Sequence, residues 1–196
     1  MMNEHPEILI IAGANGAGKS TLATSLVRDK LHVSEFVNAD VIAQGLAAFD
    51  VNSVAVEAGR IMLARLRDLA SKRKSFAFET TLAARSYATW IEELQQTGYR
   101  FHLVFLWLPS PEVAIQRVAD RVKTGGHDIP RAVIKRRYNA GLRNFFALYQ
   151  PIAHSWRIED NSHLYNRQLI ASGAALHVNK IGLADIWKQL VEEYRA

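Results

Sequence analysis

Residues Gly13-Ala14-Asn15-Gly16-Ala17-Gly18-Lys19-Ser20, followed by Thr21, follow the pattern Gly, four residues, Gly-Lys-Ser. That spacing serves phosphate binding. The glycines let the backbone curl so that consecutive N–H groups point at phosphate oxygens. A helix opening behind the turn adds its unpaired N-terminal donors and the positive end of its dipole. Lys19 then reaches β- and γ-phosphates, and the Ser20 hydroxyl ligates Mg²⁺. The pattern arises by chance in roughly one chain in a hundred of this length, given Gly at ~7% of average sequences. Here it follows the apolar run Ile8-Leu9-Ile10-Ile11-Ala12 and precedes the helix-like stretch Thr21 to Arg28, the context that makes it a nucleotide site.

Transfer of a phosphoryl group also needs an acid or base near the acceptor and cations on the phosphate. Asp40, in Asn38-Ala39-Asp40, is placed to take a proton from an acceptor hydroxyl; it is equally suited to capping a helix that begins at Val41. Glu79 heads Glu79-Thr80-Thr81. It suits binding of a substrate hydroxyl, holding a Mg²⁺-bound water, or acting as the base, with Thr80 and Thr81 as hydrogen-bond donors or as a helix-entry cluster. Arg117, Arg121, Arg131, Arg136, Arg137 and Arg143 crowd the region after Leu108. Guanidinium groups suit the charge that develops on a γ-phosphate, and Arg117 and Arg121 share one helix face. Gly125-Gly126 reads as a hinge that lets this lid-like segment, about 110–150, close over ATP. His127-Asp128 reads as lid structure or a substrate contact, and Asp160-Asn161 as a turn or an adenine contact, the turn fitting better.

These residues need a frame. Strand-like runs recur at 7–12, 35–39, 75–79 and 100–108, with helical patterns between them, which predicts an α/β fold with a parallel sheet flanked by helices. Ligands in such sheets collect beyond the carboxyl ends of the strands, where Lys19, Asp40 and Glu79 all fall. Asn52 is a candidate cap for a helix over 53–72. Further helices are expected at 87–96, 111–124, 131–149 and 183–194, with short strands at 156–159 and 168–171. Phe76 and Phe78 alternate on a buried strand and read as core. No repeat or linker divides the chain, so residues 1–196 read as one domain.

Composition narrows the chemistry. Of 196 residues 49% are apolar and 22% charged, enough to build a core. There is no cysteine, so disulfides, thiolate zinc and cysteine nucleophiles are excluded. A metal is then a hard, oxygen-bound ion such as Mg²⁺. The net charge of +5 suits a polyanionic small molecule. Lys72-Arg73-Lys74 reads as a solvated helix end rather than a nucleic-acid patch. No signal peptide opens the chain and no apolar run spans a bilayer, so the cytoplasm is the expected location, with no membrane partner.

The ordered set 15–21, Asn38-Ala39-Asp40 with Ile42-Ala43, Phe76-Ala77-Phe78-Glu79-Thr80-Thr81, Gly125-Gly126-His127-Asp128-Ile129-Pro130 with Arg136-Arg137-Tyr138, and Asp160-Asn161-Ser162 resembles the zeta toxin family of P-loop kinases, in particular its short chromosomal branch. The resemblance implies a Mg²⁺-ATP-dependent kinase whose acceptor, in the toxin branch, is the 3′-hydroxyl of the amino sugar in UDP-N-acetylglucosamine. It implies that Gly13 to Thr21 bind ATP, Ser20 the metal, and that Asp40 is the base. Glu79 and Thr81 would hold the sugar, and Arg117 would approach the γ-phosphate. A second lid arginine is implied, one of Arg121, Arg131, Arg136 and Arg137. An antitoxin is the protein partner such a toxin would have. Ala14 stands where relatives often have proline. Thr80 stands where the well-described toxins have glycine, adding bulk at the acceptor pocket.

Two other readings remain. One is a P-loop kinase acting on a nucleoside or nucleic-acid end. The other is a low-turnover ATP-binding module regulated by a protein partner. A GTPase is excluded, since Asn179-Lys180-Ile181-Gly182 lacks the base-reading Asp and no Asp-x-x-Gly occurs.

Overall fold

The chain folds, in a computed structural model, around one seven-stranded sheet; residues 5–23, 35–47, 50–51, 53–163 and 166–195 are described. Strand β1 (Glu7–Gly13) is the Ile-rich run before the glycine loop and is buried along nearly its whole length. Burial on both faces is what a central parallel strand requires. Strands β2 (Glu35–Val37), β3 (Phe76–Thr80), β4 (Arg100–Trp107) and β5 (Ser155–Asp160) join it in the order β2-β3-β1-β4-β5, all parallel. Their carboxyl ends therefore share one rim. That rim receives the glycine loop, Asn38 to Asp40, Glu79 and Asp160 to Ser162.

The expected parallel arrangement holds over these five strands, and the sheet becomes mixed beyond β5. Strands β6 (Gln168–Ala174) and β7 (His177–Ile181) continue it as an antiparallel hairpin. β7 was not foreseen: His-Val-Asn-Lys-Ile is polar and mostly exposed, as an edge strand can be, and carries little alternation.

Helix α1 opens at Lys19 and is described over 19–23; the rest of the helix expected to reach Arg28 lies outside the described residues. α2 (Ala39–Leu46) follows β2, α3 (Ala55–Ser71) precedes β3, and α4 (Ser86–Gln96) links β3 to β4. Asn52, the expected cap of α3, lies outside the described residues. The turn into α3 instead ends at Val54 with no side-chain cap. α5 (Pro111–Lys123) begins with Ser110 accepting from the Val113 N–H and with Pro111 in the first turn, where its missing donor costs nothing. α8 (Ala184–Tyr194) closes the chain.

The helix expected over 131–149 is regular only as α6 (Arg131–Asn144). It widens into a π-helical turn, Phe145–Tyr149, before the short α7 (Gln150–Ile152). Pro151 explains the change. It cannot donate to the carbonyl four residues back and its ring would strike it, and a wider turn relieves both.

Phe76 and Phe78 are fully buried, as expected, against Trp90, Tyr99 and Tyr87. A second aromatic cluster, Phe145, Phe146, Trp156 and Trp187, fastens the π turn and α8 to β5. The run Lys72-Arg73-Lys74 is a helix end with its charges engaged. Lys72 pairs with Asp68 at 2.7 Å, Lys74 with Glu35 at 3.1 Å, and Arg73 donates to the Thr97 carbonyl at 2.9 Å.

Candidate active site

The glycine loop turns tightly after β1, with the Ala17 N–H donating to the Ala14 carbonyl at 3.1 Å. Lys19 Nζ donates to the same carbonyl at 3.0 Å. The ammonium is buried, and that burial lowers its pKa. Glu79 and Asp40 oppose the shift, while Arg121 and Arg137 add to it. A buried lysine flanked by two arginines is an electrostatic seat for a polyanion.

Glu79, at the end of β3, accepts from Ser20 Oγ at 3.1 Å. Burial raises its pKa; Lys19 and then the Ser20 hydrogen bond pull it back. Asn38 also favours the carboxylate, yet Oε1 is buried and, among the described residues, accepts no hydrogen bond. A hydroxyl beside a carboxylate with an unsatisfied oxygen is a hard-oxygen donor set, which fits Mg²⁺.

The capping role considered for Asp40 belongs to its neighbour. Asn38 Oδ1 accepts from the N–H groups of Asp40 at 2.7 Å and Val41 at 3.4 Å, and α2 begins at Ala39. Asp40 is exposed, in the first turn of α2, and faces the cleft. That cleft, about 360 Å³, is lined by Asn15, Gly16, Gly18, Lys19, Ser20, Thr21, Asp40, Glu79, Arg117, Asp120 and Arg121. Sequence-selected residues from the glycine loop, α1, α2, β3 and α5 thus meet in one place.

Thr81 is not among the side chains that line the cleft. Nor is Thr80, whose Oγ1 accepts from the Leu82 N–H at 3.2 Å. Neighbours on a strand point to opposite faces, so a cleft-facing Glu79 sends Thr80 away. The bulk expected from Thr80 at the acceptor pocket is absorbed by this turn.

The arginines separate by their contacts. Arg117 Nη2 donates to the Ser162 carbonyl at 2.8 Å. Arg121 is wrapped by the segment after α5. Its carbonyl accepts from Thr124 Oγ1 at 2.9 Å and the Gly126 N–H at 3.0 Å, and its Nη2 donates to the His127 carbonyl at 3.1 Å. A Cβ on Gly126 would lie 2.6 Å from Arg121 Cγ. Gly126, in the pair the sequence read as a hinge, is therefore packed as a clasp on an arginine stem, while Gly125 has open space around it. Asp128 accepts from the Ile129 N–H at 2.8 Å, a role in loop structure.

Of the four arginines the sequence left open, Arg121 lines the cleft and Arg137 lies beside the glycine loop. Arg137 donates to Asn15 Oδ1 at 3.4 Å and acts on Lys19, as Arg121 does. Arg131 and Arg136 are exposed on α6. The helical phase of Arg137 turns it toward Asn15, a placement that requires knowing which face of α6 meets the glycine loop. Asn161, read from the sequence as part of a turn or an adenine contact, donates its Nδ2 to the Ala17 carbonyl at 2.8 Å across 144 residues of chain.

Known proteins share this family and fold. The family model described as Zeta toxin matches residues 1–171. The chain belongs to the zeta toxin family. An uncharacterized protein of Haemophilus influenzae is 28% identical over 130 residues, 66% of this chain and 91% of that protein. Among solved structures, AvrRxo1-ORF1:AvrRxo1-ORF2 with sulphate ions superposes with a TM-score of 0.76 at 18% identity, over 95% of this chain. This zeta toxin family chain spans 63% of that longer one. The PezAT chromosomal toxin-antitoxin system of Streptococcus pneumoniae gives a TM-score of 0.66 at 17% identity, covering 99% of this chain and 80% of that one. At these identities the likeness is one of fold: a P-loop kinase sheet flanked by helices.

Proposed function

We propose that this protein is a Mg²⁺-ATP-dependent kinase that passes the γ-phosphoryl group to a hydroxyl, with a nucleotide sugar such as UDP-N-acetylglucosamine as acceptor. The observation that carries the reading is the convergence of Lys19, Asp40, Glu79 and Arg121 on one cleft behind a phosphate-binding loop. Family membership supports it.

In this reading the loop from Gly13 to Thr21 cradles the phosphates, and Lys19 leaves the Ala14 carbonyl for the β- and γ-oxygens. Ser20 and Glu79 would hold Mg²⁺, which when bound neutralises charge between those phosphates. Asp40 accepts the acceptor's hydroxyl proton. The freed oxygen bonds to the γ-phosphorus as the bond to the β-phosphate oxygen breaks, leaving ADP. Arg121 and Arg137 stabilise charge on the transferring group, with Arg117 beside them. Glu79 also orients the acceptor sugar, and Thr81 assists through the turn that follows β3.

We take residues 1–196 as one kinase domain with 110–150 as its lid. ATP dependence suits the cytoplasm, and an antitoxin suits the family; nucleic acid is a poor partner for a surface whose basic run is already paired. Among the described residues no helix is long and apolar enough to cross a membrane.

The test is to incubate the protein with Mg-ATP and a panel of nucleotide sugars, nucleosides and 5′-hydroxyl oligonucleotides, and to weigh the products. A gain of one phosphoryl group on UDP-N-acetylglucosamine is expected. A gain only on nucleosides or oligonucleotide ends would reassign the acceptor. Tight ATP binding with no product on any acceptor would replace the kinase with a binding module.

A further inference from the structure

We propose that Asn161 is a positioning residue that sets the direction of a peptide group in the phosphate-binding loop, turning the Gly18 N–H toward the nucleotide. The inference rests on the kinase reading above and assigns a residue that the reading does not use. Asn161 sits one residue past β5, where its own N–H donates to the Trp107 carbonyl at 3.0 Å, continuing the β4–β5 ladder. Its main chain is thus fixed to the sheet frame. Its side chain is buried, 7% exposed, and Nδ2 donates to the Ala17 carbonyl at 2.8 Å.

In a trans peptide the carbonyl and the following N–H point in opposite directions. Holding the Ala17 carbonyl toward Asn161 therefore turns the Gly18 N–H away from Asn161, toward the cleft that Gly18 lines while Asn161 does not. Left unheld, this peptide can flip and present an oxygen to the phosphates, a repulsive arrangement. Two details make the contact selective. The partner is an acceptor, so only an amide nitrogen fits; an Asp here would set oxygen against oxygen. The room exists because residue 18 is glycine. A Cβ there would lie 2.7 Å from Asn161 Nδ2, and its φ of +87° is one that L side chains rarely adopt.

The neighbours of Asn161 brace it. Asp160 Oδ1 accepts from the Ser162 N–H at 2.8 Å and from the Ser162 hydroxyl, and the Ser162 carbonyl receives Arg117 from α5. The turn after β5 thus grips the loop with one residue and the lid helix with the next.

The experiment compares wild type with Asn161→Ala for Mg-ADP and AMP affinity by calorimetry, and follows the Gly18 amide resonance by NMR. Loss of one buried hydrogen bond predicts Mg-ADP binding weakened by about tenfold. AMP, which lacks the β-phosphate, should change little. In wild type the Gly18 amide proton should move downfield on Mg-ADP addition, and the variant should lose that shift. A merely structural role would lower the melting temperature and leave the ratio of ADP to AMP affinity intact. Where Asn161→Ala does not fold, Asn161→Ser also fails to reach Ala17 while filling more space, and is read the same way. Wild-type Mg-ADP affinity and an unchanged Gly18 shift in the variant would overturn the assignment of Asn161 and leave the kinase standing. So would a wild-type Gly18 amide that does not respond to Mg-ADP. A wild-type chain that bound no Mg-ADP would overturn both.

Discussion

Asp40 and Asn38 divide two tasks that one aspartate would otherwise have to combine. Asn38 caps α2, so the Asp40 carboxylate is left without a structural duty. Asp40→Asn should therefore keep the fold and ATP affinity while lowering kcat by about 10²–10⁴, the range for loss of a general base. Calorimetry with ATP and a product assay check the two halves, and retained turnover would reject Asp40 as the base. Glu79 makes a prediction about pH. Burial raises its folded-state pKa above the unfolded value near 4.5. The stability it contributes is thus complete below that value and is lost as pH rises through the folded pKa. Glu79→Gln removes the loss, so ligand-free protein near neutral pH should melt roughly 2–4 °C higher for each kcal/mol relieved. The gap should close as the pH is lowered past the ordinary carboxylate range. A variant that melts lower at neutral pH would contradict the argument. Lys19, Ser20, Asp40 and Glu79 were legible in the sequence because a motif or a strand end marks each. The partners of Arg137 and Asn161 were not, because packing between distant segments sets them.

At the scale of elements, the segment that leaves α5 behaves as part of the arginine it surrounds. Gly126 has no side chain because the Arg121 stem occupies that space, and the His127 carbonyl holds the guanidinium. Gly126→Ala should push the stem aside. We expect kcat to fall by about 10²-fold, as for loss of one transition-state donor, with KM for ATP changing far less. Steady-state kinetics with varied ATP decide this, and equal losses in kcat and affinity would instead indicate ground-state binding. The glycine pair was visible in the sequence, but the packing of Gly126 on Arg121 was not, because a clasp and a hinge have the same composition. Helix α6 shows a similar limit. Its periodicity continues to Tyr149, while Pro151, two residues on, forces the π turn. β7 escaped notice for the reason edge strands often do: exposure removes the alternation that reveals them.

Across the whole molecule, the parallel strands carry the cleft and the antiparallel hairpin with α8 supports them from the side. Trp187 stacks on Trp156 at a centroid distance of 5.6 Å and also meets Phe146. Trp187→Ala should destabilise the fold by about 3–5 kcal/mol, the range for a large aromatic removed from a core. Nucleotide affinity of the remaining folded protein should be unchanged, since neither tryptophan lines the cleft. Denaturant unfolding followed by calorimetry tests this, and a matching loss of affinity would show that the two halves are coupled. The parallel strands followed from alternation of strand and helix patterns, but their order did not. Nor did the hairpin at the edge, since a short polar strand after a turn satisfies several topologies.

Among the described residues, the opposite rim of the sheet carries the turns Arg73-Lys74 before β3 and Gly98 before β4, and the pairing of the Ala175 N–H with the Ala153 carbonyl beside β5. None of these reaches the cleft. Leu176, at the tip of the hairpin, is 58% exposed. That tip is therefore a natural attachment point for a fluorophore or a surface tether: a chain immobilised there would present its nucleotide entrance outward.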